Sequence, residues 1–327
     1  MGVYVLRRIA QTLVVLFATS ALVFAGLFLV GDPVEILVNP AADEEEKARS
    51  AAALGLDKPV LEQYAIFLRG AASGDLGKSF VFGRPALEVI FERMPATLEL
   101  AFLAMLISVV LGVPLGLYAG LRPNALGSRA IMAGSILGFS LPTLWVGLLL
   151  ILVFAVQLGW LPSTGRGPTE TLLGVPLSLL TWEGLRHALL PATNLALFKL
   201  SLIIRLVRAQ VREQALLDYV KFARAKGLPR SRVVGVHLLK NILIPLVTVI
   251  GLELGSVIAF AIVTESIFAW PGTGKLLIDS INQLDRPVIV AYLLVIVTLF
   301  IVINFVVDVL YSMLDPRVRL GGAAASH

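Results

Sequence analysis

Few side chains in this sequence are placed to do covalent or metal chemistry. Cysteine is absent, which excludes thiolate nucleophiles, zinc–thiolate sites and disulfides. The three histidines, His187, His237 and His327, are widely separated, so a histidine-built metal site is not expected. Neither an H-E-x-x-H helix nor a G-x-S-x-G elbow occurs. A phosphate-cradling loop has the form G-x-x-x-x-G-K-[ST]. Gly77-Lys78-Ser79 has Ala72 where the first glycine should stand, and Gly274-Lys275 has Ala269 there and Leu276 after the lysine. Both read as loop glycines, so any use of a nucleotide has to come from a partner. What remains is a small set of polar and charged residues inside apolar sequence: Asn194, Lys199, Glu253, Glu265 and Asp308. A buried ionisable group in a membrane is costly and often functional. Glu253 falls near the middle of its apolar stretch, where a substrate path, pairing with a neighbouring subunit, a structural hydrogen bond and a water-exposed cavity are all open readings. Glu265 and Asp308 lie nearer the ends of theirs, where pairing or capping is expected.

The elements that must hold these residues are membrane spans. Of 327 residues, 57% are hydrophobic and 15% charged, and the mean hydropathy is +0.89; soluble domains carry about 25% charge. A bilayer core about 30 Å thick needs roughly 20 apolar residues in a helix. Six stretches qualify: 9–30, 96–120, 131–158, 188–207, 242–268 and 288–314. The first follows Arg7 and Arg8, but its apolar run is too long for a signal peptide and no small-residue cleavage site precedes Gly31, so it reads as a retained span.

Charge then sets the orientation. The segment 199–240 holds ten basic residues against two acids, Glu213 and Asp218, and such a loop stays in the cytoplasm. With six spans, Arg7 and Arg8, the loop of Arg122 and Arg129, and Arg317 and Arg319 share that side. The net charge of +5 is thus concentrated in a cytoplasmic loop, and no nucleic-acid partner is expected. The organisation expected is an N-terminal transmembrane helix at 1–30, an extracytoplasmic segment with short helices at 31–95, a five-helix core at 96–314 with a cytoplasmic loop at 209–241, and a cytoplasmic tail at 315–327. Gly112, Gly116 and Gly120, Gly134 and Gly138, and Gly251 and Gly255 recur four apart, which puts each set on one helix face and permits close helix packing.

The basic loop runs Asp218-Tyr219-Val220-Lys221-Phe222-Ala223-Arg224-Ala225-Lys226-Gly227-Leu228-Pro229-Arg230-Ser231-Arg232. Leu216, Leu217, Val220 and Ala223 form one expected apolar face, Gly227 ends the helix and Pro229 starts the next. This stretch resembles the coupling loop of ABC-importer permeases of the dipeptide/oligopeptide/nickel class, in the form Asp-Tyr-Val-x-x-Ala-Arg-Ala-Lys-Gly-Leu. It departs from the general permease motif, with Lys221, Phe222 and Ala223 where Glu-Ala-Ala is usual. Further segments of similar kind follow in order: Gly31-Asp32-Pro33-Val34, Gly74-Asp75-Leu76-Gly77-Lys78-Ser79, Arg93-Met94-Pro95-Ala96-Thr97-Leu98-Glu99-Leu100, Glu265 with Trp270-Pro271-Gly272, and Leu314-Asp315-Pro316-Arg317. The resemblance, to the first (B-type) permease of such systems, covers nearly the whole chain.

The resemblance implies an all-α integral membrane protein of six transmembrane helices with a type I ABC-importer permease fold, N-in and C-in, in a bacterial or archaeal cytoplasmic membrane. It implies no catalytic residues and no cofactor in this chain, with ATP and Mg held by partner ATPases. The partners implied are a homologous second permease, two ABC ATPases, an extracytoplasmic solute-binding protein and membrane lipid. Asp218, Tyr219, Ala223, Arg224, Ala225, Lys226, Gly227, Leu228 and Arg232 are the implied coupling residues; Glu253, Asn194, Lys199 and Glu265 are candidates for the translocation path. Members of the class carry dipeptides, oligopeptides, nickel, glutathione or other small solutes. With no Cys in the chain and no His in the expected path, peptides are favoured over bare metal. An ion-coupled carrier using Glu253 is the other reading, although such a carrier needs no basic helix–Gly–helix loop.

Overall fold

The computed structural model describes residues 2–30, 43, 45, 49 and 58–314. The motifs at 31–34 and 315–317 and the tail 315–327 lie outside the described residues, as does the side chain of Asp308. The described chain is helical almost throughout. In order it forms α1 (Gly2–Val30), α2 (Val60–Ser73), α3 (Ala86–Leu121), α4 (Leu126–Ser140), α5 (Thr143–Leu150) with a π-helical extension at Ile151–Gln157, α6 (Trp182–Gln214), α7 (Asp218–Ala225), α8 (Leu239–Ile267), α9 (Thr273–Asn282) and α10 (Arg286–Leu314). Strands β1 (Glu170–Leu172) and β2 (Val175–Leu177) pair as a hairpin.

Among the described residues, four stretches are long and apolar enough to cross a bilayer: Ala86–Leu121, Trp182–Gln214, Pro245–Ile267 and Arg286–Val307. The α4–α5 pair makes a fifth if it counts as one span, while α1 contributes the shorter apolar stretch Ala10–Gly26. The helical membrane class stands, with four or five of the six expected spans. The stretch 131–158, expected as one span, is bent by 108° between α4 and α5. Pro142 is the cause: its ring pushes Leu141 out of the helical region, to φ −79° and ψ 134°, so α4 stops and α5 starts afresh. The link after Trp270 contains α9.

The chain divides into two compact units, one of residues 1–95 with 271–302 and one of residues 96–270 with 303–327. In the first, α2 packs on α1. Tyr64 bonds Ser20 Oγ at 2.8 Å and stands edge-on to Phe17, and Phe24 stacks against Tyr64 and Phe67. The Gly-Lys-Ser turn after α2 is fixed by a buried acid. Asp285 accepts the Ser79 hydroxyl and the N–H groups of Phe80 (3.0 Å) and Val81 (3.4 Å). Ser79 therefore serves as an anchor for this segment, which explains a Gly-Lys-Ser sequence without any phosphate.

In the second unit α6 is the central helix, with 61% of its span window buried against 44% for α3 and 28% for α8. The glycines of α3 make that possible. A Cβ on Gly112 would sit 2.8 Å from Ile203, one on Gly116 2.7 Å from Val207 and 2.9 Å from the Ile204 carbonyl, and one on Gly120 2.6 Å from Val211. Glycines four apart thus face branched residues four apart, and the two backbones close up as small-residue faces allow. Gly138 faces Ser201 at 3.0 Å, Gly251 faces Val307, Gly255 is buried, and nothing lies within 4 Å of a Cβ at Gly134. Within α3, Glu99 at the start of this unit is buried and gathers the Ser178 and Leu179 N–H groups, the Ser178 hydroxyl and the Arg166 guanidinium. That holds the hairpin segment on α3.

Gly116→Leu forces a side chain into Val207 and the Ile204 carbonyl, an overpacking expected to cost about 1–3 kcal/mol. The variant is expected to lose several degrees of Tm in detergent, whereas Gly134→Leu leaves Tm nearly unchanged. Equal melting of the two variants would contradict the close α3–α6 approach.

Candidate coupling and translocation sites

The basic loop folds as a short helix with a fully satisfied C-terminal cap. Helix α7 begins at Asp218 and ends at Ala225, and Lys226 caps it. Gly227 has φ +73°. Its N–H bonds the Arg224 carbonyl at 2.9 Å, and the Leu228 N–H bonds the Ala223 carbonyl at 3.3 Å. These are the two bonds of a Schellman cap, and the left-handed residue they require favours glycine. Leu228 then packs with Tyr219 on the buried cluster of Val220, Ala223 and Val233. Pro229 opens the next turn, Arg230–Arg232, which runs through a π-helical stretch at Val233–Leu238 into α8.

The expected apolar face is divided. Val220 and Ala223 are buried inside the chain, whereas Leu216 is 73% exposed and Phe222 63%. Tyr219 Oη donates to Gln214 Oε1 at 2.8 Å, tying α7 to the end of α6. Asp218 pairs with Lys221 across one exposed turn, and Lys226 covers the Phe222 ring at 4.6 Å. Arg224, Ala225 and Arg232 are exposed. The loop therefore leaves Leu216 and Phe222 exposed while it is held on a small core of its own.

The candidate path residues separate into two places. Lys199 on α6 pairs with Glu253 on α8 and donates to Ser256 Oγ at 2.6 Å, and the Ser256 hydroxyl also reaches Glu253 Oε2 at 2.9 Å. Lys199 is 7% exposed and Glu253 26%. The charge of Lys199 is met by Glu253 and Ser256 on the neighbouring helix. Further along, Asn194 Nδ2 donates to Thr264 Oγ1 at 3.1 Å, and both residues are buried. Because 199 pairs with 253 and 194 with 264, the two helices run antiparallel with a polar seam between them. Asn194 Oδ1 is buried without a hydrogen-bond partner among the described residues. Glu265 belongs elsewhere: fully buried, it accepts from Thr97 Oγ1 of α3 at 2.7 Å. Sequence reasoning did not find Ser256, Thr264, Thr97 or Asp285. Hydroxyls and single acids are individually common, and only the three-dimensional pairing reveals their role.

Known proteins resemble the chain in both sequence and fold. Residues 112–320 match the family described as binding-protein-dependent transport system inner membrane component, and residues 1–101 match its N-terminal membrane component family. The chain is 39% identical to the di/tripeptide transport system permease protein DppB of Pseudomonas aeruginosa, over 97% of this chain and 98% of that protein. It is 35% identical to the dipeptide transport system permease protein DppB of Escherichia coli K12, over 97% and 98% respectively. Its fold is similar to a chain of the inward-facing MetNI methionine ABC transporter, with a TM-score of 0.54 at 19% identity over 70% of this chain and 97% of that one. Helices built to span a bilayer and a match running almost from end to end lead to one assignment: the chain belongs to the family of inner-membrane components of binding-protein-dependent transport systems.

Proposed function

We propose that this chain is one permease subunit of an ABC importer for di- or oligopeptides, supplying half of the translocation path. In this reading α7 and the turn after it dock on a cytoplasmic ATPase, a second homologous permease supplies the other half, and a solute-binding protein delivers the peptide outside. The N- and C-termini lie in the cytoplasm, α1 counts as the sixth span, and segment 31–95 is extracytoplasmic. ATP and Mg belong to the two ATPases. The observation that carries the proposal is the capped α7, held on its own small buried cluster while Leu216 and Phe222 stay exposed; a folded helix that leaves large apolar side chains uncovered calls for a protein partner. The peptide assignment draws on the di- and tripeptide permeases to which the chain is similar. Closure of the ATPases would push α7 and, through the Tyr219–Gln214 bond and the continuous path into α8, swing α6 and α8 as rigid bodies. The polar seam of Lys199, Glu253 and Asn194 is the proposed lining of the path. Glu265 is proposed to link α8 to α3.

No atom lies within 4 Å of a Cβ added to Gly227, so Gly227→Asp costs little beyond left-handed strain, roughly 1–2 kcal/mol. The variant is expected to reach the membrane with its partners while ATP hydrolysis no longer drives uptake. Normal uptake by this variant sinks the coupling role. For the seam, Glu253→Leu strands Lys199 and is expected to destabilise the chain by about 3–5 kcal/mol, while Lys199→Met with Glu253→Leu recovers the Tm. Peptide uptake by the double variant in proteoliposomes is expected to stay low. Full uptake would give the pair a purely structural role.

A further inference from the structure

A cavity of about 480 Å³ lies behind α7, where three spans end: Gly120 and Leu121 close α3, Ala215 follows α6 and Leu238 precedes α8. Two basic residues, Arg224 and Arg230, are among those that line it, and no acidic residue is. Neither arginine has an acidic partner among the described residues, although Lys221 nearby is neutralised by Asp218. The rest of the wall is apolar, with Leu121, Val234 and Leu238. We propose that this cavity binds the phosphate of an anionic phospholipid from the adjoining leaflet. The planar forks of the two arginines suit phosphate oxygens. The span ends place the opening at headgroup depth, and the apolar wall takes the start of an acyl chain whose remainder stays in the bilayer. Basic pockets between helices on the cytoplasmic side are suited to anionic headgroups. The lipid would wedge the loop from behind, against the cluster of Val220, Ala223 and Val233, and so fix the angle at which α7 leaves α6. This holds whether or not an ATPase docks on the outer side of α7.

The test is native mass spectrometry of the full chain in detergent, titrated with phosphatidylglycerol, phosphatidylcholine or inorganic phosphate. Wild type is expected to retain phosphatidylglycerol in preference to phosphatidylcholine, with no displacement by millimolar inorganic phosphate. Arg224→Gln with Arg230→Gln is expected to weaken that binding about thirtyfold, taking about 1 kcal/mol for each arginine near an anionic surface. Val234→Trp keeps both charges and narrows the apolar wall of the cavity, and is expected to weaken the adduct as well. Unchanged binding in the arginine variant overturns the proposal. So does an adduct left unweakened by Val234→Trp, which would mean diffuse attraction to the surface. Displacement by inorganic phosphate would make this a free-phosphate site and overturn the lipid assignment.

Discussion

Close approach of α3 and α6 is the constraint from which the rest of the second unit follows. Within a bilayer, apolar side chains gain nothing by leaving lipid for protein, so helices associate through packing contacts and polar links. Gly112, Gly116 and Gly120 supply the first by removing every side chain from one face of α3, and Ile203, Val207 and Val211 of α6 fill the space. Once α6 is held there, its other faces are committed. Ser108 on α3 donates to the Ala196 carbonyl at 3.0 Å, and Phe139 of α4 stacks on Phe198. Lys199 and Asn194 then turn to α8, where Glu253, Ser256 and Thr264 meet them.

A charged pair at that depth is a poor source of net stability, because two ions must be stripped of water. Its value is specificity of register. Lys199 with Glu253 and Asn194 with Thr264 allow one alignment of two otherwise apolar helices, and a slip would strand a cation in lipid. The unpartnered Oδ1 of Asn194 leaves one acceptor of the seam uncommitted.

Much of this organisation was legible in the sequence, for physical reasons. Apolar runs of span length must be helices in a membrane, so α8 and α10 could be placed within a few residues, whereas α3 begins ten residues earlier than its apolar run and α6 extends six or seven residues past its run at each end. Gly227 followed by Pro229 announced the end of α7 because only a few residue types suit those backbone positions. The four-residue glycine spacing on α3 is a property of the helix itself. Other features depend on distant partners and were not legible. A proline in an apolar run permits a kink, but its position does not give the 108° angle between α4 and α5. Leu216 and Val220 look alike in a helical pattern, yet one is exposed and the other buried because only Val220 meets Val233. Glu253 could not be assigned a partner from sequence, since Lys199 lies 54 positions away. Asp285 reads as a loop acid until Ser79 and two backbone N–H groups are seen to converge on it.

The central claim is that α7 faces the cytoplasm and carries the ATPase contact. The lack of native cysteine makes a single introduced thiol unambiguous. Phe222→Cys, expressed with its partner subunits, should cross-link to an ATPase through a short bifunctional maleimide and should be shielded from membrane-impermeant maleimide in intact cells. Leu173→Cys at the hairpin tip, 97% exposed, should be labelled from outside and give no ATPase cross-link. Labelling of Phe222→Cys from outside, or cross-linking of the ATPase to the hairpin instead, would contradict the account.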